Sequence, residues 1–214
     1  MQPTLVTVVD HGAGNIQSVA GAVGALGFGV RVAQEPSEIE SSRVLVLPGV
    51  GSFRTAMTRM RARGIDKAIL RALEAGGSVL GICLGMQLLC EWSEEDGGTE
   101  GLALVQGSVT KFGGGETAAP VRIPHVGFNS VTAGPTSILF ADVPLNSDFY
   151  FVHSYRVPAL ERSEGVRTAT TPYGGDFVSA FESEGRVFGV QFHPELSQGN
   201  GLRLIKNYIE SASC

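Results

Sequence analysis

The chain has 214 residues and a formal net charge of −5, from 16 basic and 21 acidic side chains. Hydrophobic residues make up 43% of it and charged residues 17%, a balance that excludes a disordered chain and allows a substantial core. The acidic balance argues against a nucleic-acid or membrane surface, and no apolar run approaches the ~18 residues that cross a bilayer. Three cysteines without a CxxC or Cys/His cluster, and an N-terminus without a signal sequence, predict a cytoplasmic protein with no metal site. We expect a single domain over residues 1–214.

The first half of the chain alternates short apolar runs with segments of helical periodicity. Strand-like runs occupy 5–9, 28–33, 44–47 and 78–82, and helical spacing occupies 16–26, 53–60 and 65–72. Asn15 and Ser52 stand where N-caps are expected. Continuous apolar strands separated by amphipathic helices indicate a parallel sheet covered on both faces. The pattern predicts an α/β fold with an open, doubly wound, mostly parallel sheet of the flavodoxin-like kind.

In the second half of the chain, strand-like runs follow one another with Gly, Pro and Asn turns between them, instead of alternating with helices. These runs lie at 126–131, 149–152, 177–181 and 187–192, and a final helix is expected over 202–209. We expect some of these strands to add to the sheet in antiparallel orientation. The stretch 113–119 is predicted to be the most flexible loop.

A glycine-framed cysteine is the most specific signal in the sequence. Cys83 stands in the segment 81–85 (GICLG), where an apolar strand meets a helix. Gly-x-nucleophile-x-Gly is the nucleophile-elbow arrangement, because the sharp turn leaves no room for side chains two residues before and after the nucleophile. A helix N-terminus also favours the thiolate, which is the reactive form. We interpret Cys83 as a nucleophile, and we expect Cys90 to lie further along the same helix, in the core.

A thiolate nucleophile needs a proton carrier and a group that orients it. Among the four histidines, His193 stands in QFHPE at the end of a predicted strand. Glu195 follows after a proline and can hold the imidazole in one tautomer while stabilising the imidazolium. Taken alone, this pair is equally consistent with a surface His–Glu contact. Together with the elbow, it predicts a catalytic triad of Cys83, His193 and Glu195.

The segment 48–52 (PGVGS) ends the third predicted strand. Strand ends form the ligand crevice of a doubly wound sheet, and backbone N–H groups between glycines can face a developing oxyanion. An ordinary strand–helix turn explains the segment equally well. The glycines at 12 and 14 lack the third glycine of a dinucleotide fingerprint, and no GxxxxGK[ST] occurs, so we expect no NAD, no ATP and no other cofactor.

Two motifs together make the chain resemble the class I (triad) glutamine amidotransferases over nearly its whole length: GICLGMQ at 81–87 and QFHPE at 191–195. Further segments narrow the resemblance to the glutaminase subunits of imidazole glycerol phosphate synthases. They are DHGAGN at 10–15, PGVGSF at 48–53, PHVGFN at 124–129 and YFVHSY at 150–155. Sibling amidotransferases usually carry a PGG-type segment in place of PGVG.

The resemblance implies that the chain hydrolyses L-glutamine to glutamate and ammonia through a glutamyl thioester on Cys83. It assigns the oxyanion hole to Gly49, Val50, Gly51 and Leu84, and glutamine binding to Gln87, Ser154 and Tyr155. It also implies a heterodimer with a (β/α)₈-barrel cyclase subunit. That partner would use the ammonia to make imidazole glycerol phosphate and aminoimidazole carboxamide ribotide in histidine biosynthesis. The glutaminase motifs occupy the whole chain, so the ammonia acceptor is expected on a separate subunit.

The chain departs from the family pattern at three positions. The family commonly has Tyr where this chain has His11, Trp where it has Phe128, and Lys where it has Leu196. The last two map to the side that faces the partner. The resemblance places five residues at that interface: His125, Phe128, Tyr150, His153 and Leu196.

Three alternatives stay open at this point. One is a paralogous amidotransferase that feeds a surface-sugar amidation enzyme. The second is a stand-alone cysteine hydrolase of the same fold, and the third is a non-catalytic binding subunit. Release of glutamate from glutamine, with and without the barrel cyclase, separates these alternatives.

Overall fold

A computed structural model describes residues 3–113, 121–160 and 165–213. Its strands are β1 (Leu5–Val9), β2 (Gly29–Ala33), β3 (Val44–Gly49), β4 (Ser78–Cys83), β5 (Cys90–Ser93), β6 (Thr99–Glu100), β7 (Val105–Lys111), β8 (His125–Ser130), β9 (Thr132–Ala133), β10 (Asp148–His153), β11 (Tyr155–Arg156), β12 (Val166–Pro172), β13 (Asp176–Ser183) and β14 (Val187–Val190). Its helices are α1 (Ile16–Ala25), α2 (Pro36–Glu40), α3 (Phe53–Arg63), α4 (Ile65–Glu74), α5 (Leu84–Leu88) and α6 (Gln198–Ala212). The loop predicted at 113–119 lies outside the described residues from position 114 onward, as does Cys214.

An eight-stranded sheet in the order β2-β1-β3-β4-β14-β13-β12-β9 forms the centre of the molecule. Its first five strands pair in parallel, and the last three continue in antiparallel orientation. The start of this order is that of a flavodoxin-like doubly wound sheet. The predicted fold class, including the antiparallel additions, is therefore confirmed.

Helices cover both faces of the parallel strands, because those strands carry apolar side chains on both sides. On one face, α2, α3 and α4 bury residues such as Ile39, Met60 and Ile69. On the other face, α1 and α6 bury residues such as Val23 and Tyr208. These two layers fix the carboxyl ends of the parallel strands, where the candidate site lies.

A two-stranded antiparallel sheet of β8 and β10 lies apart from the central sheet. The side chains of β10 alternate between buried and more accessible positions along the strand, as a half-covered strand requires. The buried members of the pair are His125, Phe149, Phe151 and His153; the other side presents Val126, Phe128, Tyr150 and Val152. One face of this ribbon therefore packs on the protein and the other faces outward.

The prediction that Cys90 continues the helix after Cys83 is wrong. That helix, α5, ends at Leu88, and Cys90 begins β5. Cys90 pairs with Val105 of β7, so a non-local strand pairing overrides the helical appearance of this apolar segment. Its burial was predicted correctly, because the residue has no exposed surface.

The two predicted helix caps differ in outcome. The Ser52 hydroxyl accepts a hydrogen bond from the Thr55 amide at 3.3 Å, as an N-cap does. Asn15 occupies the N-cap position of α1, but its side chain makes no capping bond. Strands β5, β6, β7, β9, β11 and β12 were not predicted. Four of them form a separate sheet in the order β11-β7-β5-β6, and β9 is the edge strand of the central sheet.

Candidate active site

Cys83 lies at the junction of β4 and α5 in a backbone conformation that residues with side chains rarely adopt. Its φ is 55° and its ψ is −111°. A Cβ at Gly81 would lie 2.6 Å from the carbonyl carbon of Gly85, and a Cβ at Gly85 would lie 1.7 Å from the Leu47 oxygen. These contacts supply the steric reason for both glycines of the elbow. The turn lifts the cysteine off the strand end, as the motif predicts.

His193 and Glu195 form a buried pair beyond the end of β14. His193 Nδ1 lies 2.8 Å from Glu195 Oε1, and the two side chains are 5% and 1% exposed. The backbone around them is held from both sides: the His193 amide donates to the Tyr150 carbonyl, and the Ser197 hydroxyl donates to the His193 carbonyl. The pair is therefore fixed in the interior, which excludes the alternative of a surface His–Glu contact.

The electrostatics of this site favour an imidazolium. Burial by itself lowers the pKa of His193, but hydrogen bonds and charge interactions with Cys83 and Glu195 outweigh it and raise that pKa to about 10. Among the described residues, His193 Nε2 has no hydrogen-bond partner of normal geometry. Nδ1 is engaged by Glu195, so Nε2 is the nitrogen left for the sulfur and for a substrate.

A cavity of about 280 Å³ opens beside Cys83. The predicted site residues that line it are Val50, Gly51, Cys83, Leu84, Gln87, His153, Ser154 and Tyr155. The structure thus brings the predicted nucleophile, oxyanion segment and glutamine-binding residues to one place. Gly49 joins them through the sheet, because it pairs directly with Cys83 in the register of β3 and β4.

The two glycines at the end of β3 and just after it differ in backbone conformation and in the space around them. Gly51 has a φ of 97°, a conformation that favours glycine, whereas Gly49 is tightly enclosed, with a Cβ there lying 3.0 Å from the Gly85 nitrogen. Between them Val50 is 43% exposed. Before them, the Pro48 carbonyl accepts a hydrogen bond of 2.9 Å from His11 Nε2. His11, one of the departures from the family pattern, is fully buried, and burial lowers its pKa.

The five predicted interface residues separate into two groups. Phe128 and Leu196 are exposed at 52% and 42%. Phe128 packs edge to face on Tyr150, at 5.5 Å between ring centroids. His125 and His153 are instead buried and hydrogen-bonded to each other, Nδ1 to Nε2, at 3.0 Å. A role of these two histidines toward a partner therefore acts through their neighbours rather than by direct contact.

The sequence reasoning missed two residues at this site. Glu95 lines the cavity, and its carboxylate accepts a hydrogen bond of 2.7 Å from the Phe53 amide. Burial raises its pKa. Gln191 directs its Nε2 at the Cys83 sulfur, 3.7 Å away. Gln191 could have been singled out as the first residue of the QFHPE motif, whereas no motif in the sequence around Glu95 indicated a functional role for that side chain.

Over the ranges that the structure describes, no group of three or more His, Cys, Asp or Glu side chains is arranged to hold a metal ion. Within the same ranges, no helix is long and apolar enough to cross a membrane.

Comparisons with known proteins agree with this geometry. The family model described as Glutamine amidotransferase class-I matches residues 7–211. Imidazole glycerol phosphate synthase subunit HisH of Moorella thermoacetica is 42% identical over 205 residues, which cover 96% of this chain and 94% of the relative. The chloroplastic imidazole glycerol phosphate synthase hisHF of Arabidopsis thaliana is 39% identical over 207 residues, which cover 96% of this chain and 34% of that longer protein.

Among solved structures, PurLQS from Thermotoga maritima superposes with a TM-score of 0.73. The match covers 98% of this chain and 99% of that one at 16% identity, and it supports the fold. The elbow, the sheet order and the full-length relatives lead to one conclusion: the chain belongs to the class I glutamine amidotransferase family, among the HisH subunits of imidazole glycerol phosphate synthase.

Proposed function

We propose that this glutaminase subunit hydrolyses glutamine at Cys83, with His193 and Glu195, and passes the ammonia to a separate (β/α)₈-barrel cyclase. The observation that carries the proposal is the strained Cys83 at the cavity together with the buried His193–Glu195 pair beside it, since interactions with Cys83 and Glu195 raise the pKa of His193. The family assignment places this chemistry in histidine biosynthesis.

The chemistry follows from the charges at the site. The Cys83 sulfur adds to the side-chain amide carbon of glutamine, and the carbonyl oxygen takes up the negative charge. The His193 imidazolium gives its proton to the amide nitrogen, the C–N bond breaks, and ammonia leaves a glutamyl thioester. Water then adds to the thioester, His193 accepts a proton from it, and glutamate leaves as the C–S bond breaks. Glu195 accepts the hydrogen bond from His193 Nδ1 and holds the imidazole in place.

The oxyanion requires backbone N–H donors at the cavity. Val50 and Leu84 both line it, and their amides are the donors we assign, with Gly49 and Gly51 shaping the segment around Val50. Such donors are effective because they are fixed in a site with little water, so they need no reorganisation when the charge develops.

The rest of the cavity suits the α-ammonium and α-carboxylate groups of the glutamine substrate. Gln87, Ser154 and Tyr155 line it and offer amide, hydroxyl and backbone groups to the substrate. Gln87 uses its Nε2 internally, bonded to the Tyr155 carbonyl at 3.0 Å, so its Oε1 is the atom left for the substrate. Glu95 supplies the negative charge that pairs with the substrate ammonium.

We assign the partner-docking face to the outward side of the β8–β10 ribbon. Val126 and Phe128 are 55% and 52% exposed, and Val152 beside them is 41% exposed. Adjacent exposed apolar side chains around a cavity mark an interaction surface. Leu196, also 42% exposed, adds an apolar contact at a position where the family commonly has lysine. The face lies next to the cavity, which shortens the path of ammonia to an acceptor.

The longer plant relative supports a cyclase partner. This chain matches only 34% of that protein, which is itself named imidazole glycerol phosphate synthase, whereas it matches 94% of the Moorella HisH protein. A separate partner chain can supply what the remainder of the plant protein holds within one polypeptide.

Glutamate release from glutamine tests the proposal, measured with the cyclase and its ligand present. We expect Cys83→Ala to remove activity by several orders of magnitude, because the covalent route is lost. Added ammonium salts should still support the cyclase reaction, since that chemistry lies on the partner. Residual glutaminase above about a tenth of the wild-type rate would contradict the assignment of Cys83.

Cys90→Ala is the matched control. Cys90 is also buried, and burial raises the pKa of its thiol to about 12, so it is unsuited to nucleophilic attack. We expect this variant to keep its glutaminase activity while losing some stability. Loss of activity in both variants at unchanged folding would contradict the special role of the elbow.

A further inference from the structure

We propose that Gln191 is a further catalytic residue, whose side-chain N–H donates to the Cys83 sulfur and stabilises its thiolate. The proposal rests on the proposed function, because it concerns the nucleophile of that reaction. Gln191 is fully buried, and its Nε2 lies 3.7 Å from Cys83 Sγ, within the range of a hydrogen bond to sulfur. The strand register explains the proximity: Val190 pairs with Ile82, so the residue after each meets the other at the end of the sheet.

The orientation of the Gln191 amide is set by its neighbours. The Tyr155 carbonyl can only accept hydrogen bonds, so the Gln87 side chain must present its N–H₂ group there, at 3.0 Å. The same Gln87 Nε2 lies 2.8 Å from Gln191 Oε1 and uses its second hydrogen for that bond. The oxygen of Gln191 is therefore occupied, and its N–H₂ group faces the sulfur.

A second chain of hydrogen bonds holds the Tyr155 carbonyl from the other side. His153 Nδ1 lies 2.7 Å from this carbonyl and must carry the hydrogen, which leaves His153 Nε2 as an acceptor for His125 Nδ1 at 3.0 Å. Asn129 Nδ2 approaches His125 Nε2 at 3.4 Å. Burial lowers the pKa of His125 to about 4 and that of His153 to about 3, so both rings stay neutral and the direction of every bond is fixed.

The Cys83 sulfur has two polar neighbours of opposite hydrogen-bonding character, an acceptor and a donor. The backbone carbonyl of Val152, at 4.0 Å, can only accept from a protonated thiol, whereas the Gln191 amide donates to a thiolate. Hydrogen bonding to the charged form favours that form. A buried N–H donor to a thiolate is charge-assisted and stronger than a neutral hydrogen bond.

The experiment measures alkylation of Cys83 by iodoacetamide as a function of pH, in full-length protein carrying Cys214→Ser. Cys90 is buried with a pKa of about 12, so labelling reports on Cys83, and mass spectrometry of the peptide verifies the site. Gln191→Met removes the amide. Gln191→Glu keeps an acceptor for Gln87 but places a carboxylate oxygen against the sulfur. Gln17→Met, an exposed position on α1, is the matched control.

We expect Gln191→Met and Gln191→Glu to need a pH about one unit higher or more to reach half of the maximal alkylation rate. At pH values well below the half-point, this corresponds to at least about a tenfold slower reaction. The glutaminase kcat of both variants should fall by a similar factor, whereas Gln17→Met should match the wild type. If Gln191→Met does not fold, Gln191→Glu decides, because its side chain has the same shape.

Unchanged alkylation profiles in folded Gln191 variants overturn the proposal. Failure of the proposed function looks different: the wild-type protein would show a pH-dependent, Gln191-dependent Cys83 reactivity but would release no glutamate from glutamine, even with the cyclase and its ligand.

Discussion

The free energy of unfolding should be greatest near pH 7, because the four buried histidines have their pKa values shifted in opposite directions. Burial lowers the pKa of His125 to about 4 and that of His153 to about 3, and it also lowers that of His11. The interactions of His193 with Cys83 and Glu195 overcome its burial and raise its pKa to about 10. All four start from 6.5 in the unfolded chain.

The sign of each contribution follows from proton uptake. Below pH 6.5 the unfolded chain binds protons at His125 and His153, which stay neutral when folded, and the lowered pKa of His11 acts in the same direction, so their stabilisation is lost as the pH falls toward their folded pKa values. Above pH 6.5 folded His193 keeps a proton that the unfolded chain releases, so its stabilisation is lost as the pH rises toward 10. For the three histidines His125, His153 and His193, the two effects balance where their unfolded forms bind one proton in total, at about pH 6.8, and the lowered pKa of His11 moves this point slightly upward.

The size of the effect follows from about 1.4 kcal/mol per proton and pH unit. From pH 7.0 to 5.5, His125 and His153 together cost about 2.5 kcal/mol, and His193 offsets about 0.8 kcal/mol of that, for a net loss of about 1.7 kcal/mol, to which His11 adds in the same direction. From pH 7.0 to 8.5, His193 costs about 1.9 kcal/mol and His125 and His153 offset about 0.3 kcal/mol, for a net loss of about 1.6 kcal/mol.

Urea unfolding at five pH values between 5.5 and 8.5, at constant ionic strength, measures this profile. Circular dichroism and the fluorescence of Trp92, the single tryptophan, report on the transition. His193→Gln should remove the loss of stability at alkaline pH, and His153→Gln should remove about 1.3 kcal/mol of the acid loss. A flat profile, or a maximum below pH 6, would refute the assignment of neutral His125 and His153 beside a charged His193.

Three further changes test the geometry of the site and the elbow. Glu195→Gln should reduce glutaminase kcat less than His193→Ala, because an amide can still orient the ring whereas the proton carrier has no substitute; the reverse order in steady-state kinetics would reverse the two roles. Gly85→Ala should lower the free energy of unfolding, measured in urea, by about 3 kcal/mol or more, because its Cβ would lie 1.7 Å from the Leu47 oxygen. Gly21→Ala on α1 is the control: it has open space around it and should be neutral or stabilising. We expect the Val50 N–H to point away from the oxyanion position until the partner docks, so glutaminase measured without the cyclase and its ligand should be slower by about 10² or more, the cost of one misaimed oxyanion donor. Val50→Gly should raise this basal rate and Val50→Pro should abolish activity because proline has no N–H, whereas equal rates with and without the partner would contradict a misaimed resting state.

The sequence predicted the parts of the site that local geometry determines. The elbow at Cys83 could be read from two glycines, because their steric function depends on the turn itself and on the strand next to it. His193 and Glu195 could be read in the same way, since one proline separates them. The fold class could be predicted, though not the strand order, because continuous apolar strands alternate with amphipathic helices in the first half of the chain.

The features that were missed depend on contacts between distant segments. Cys90 lies in a strand only because residues near 105 pair with it. Gln191 contacts Cys83 across 108 residues, and this contact requires β14 to lie beside β4 in one particular register. Glu95 reaches the cavity from a short 3₁₀ turn in an acidic segment, where a solvated surface is the ordinary expectation. Local pattern carries no information on these pairings.

Strand β10 connects the outward face of the ribbon with both halves of the catalytic machinery. Its Tyr150 carbonyl accepts the His193 amide, and its Val152 carbonyl lies 4.0 Å from the Cys83 sulfur. The side chains of the same two residues belong to the face that we assign to the partner. A strand alternates its side chains but carries one continuous backbone, so a partner that displaced Tyr150 or Val152 on the proposed docking face would also displace the carbonyls that hold the histidine and face the nucleophile. The proposed docking face and the catalytic groups therefore share two residues of one strand.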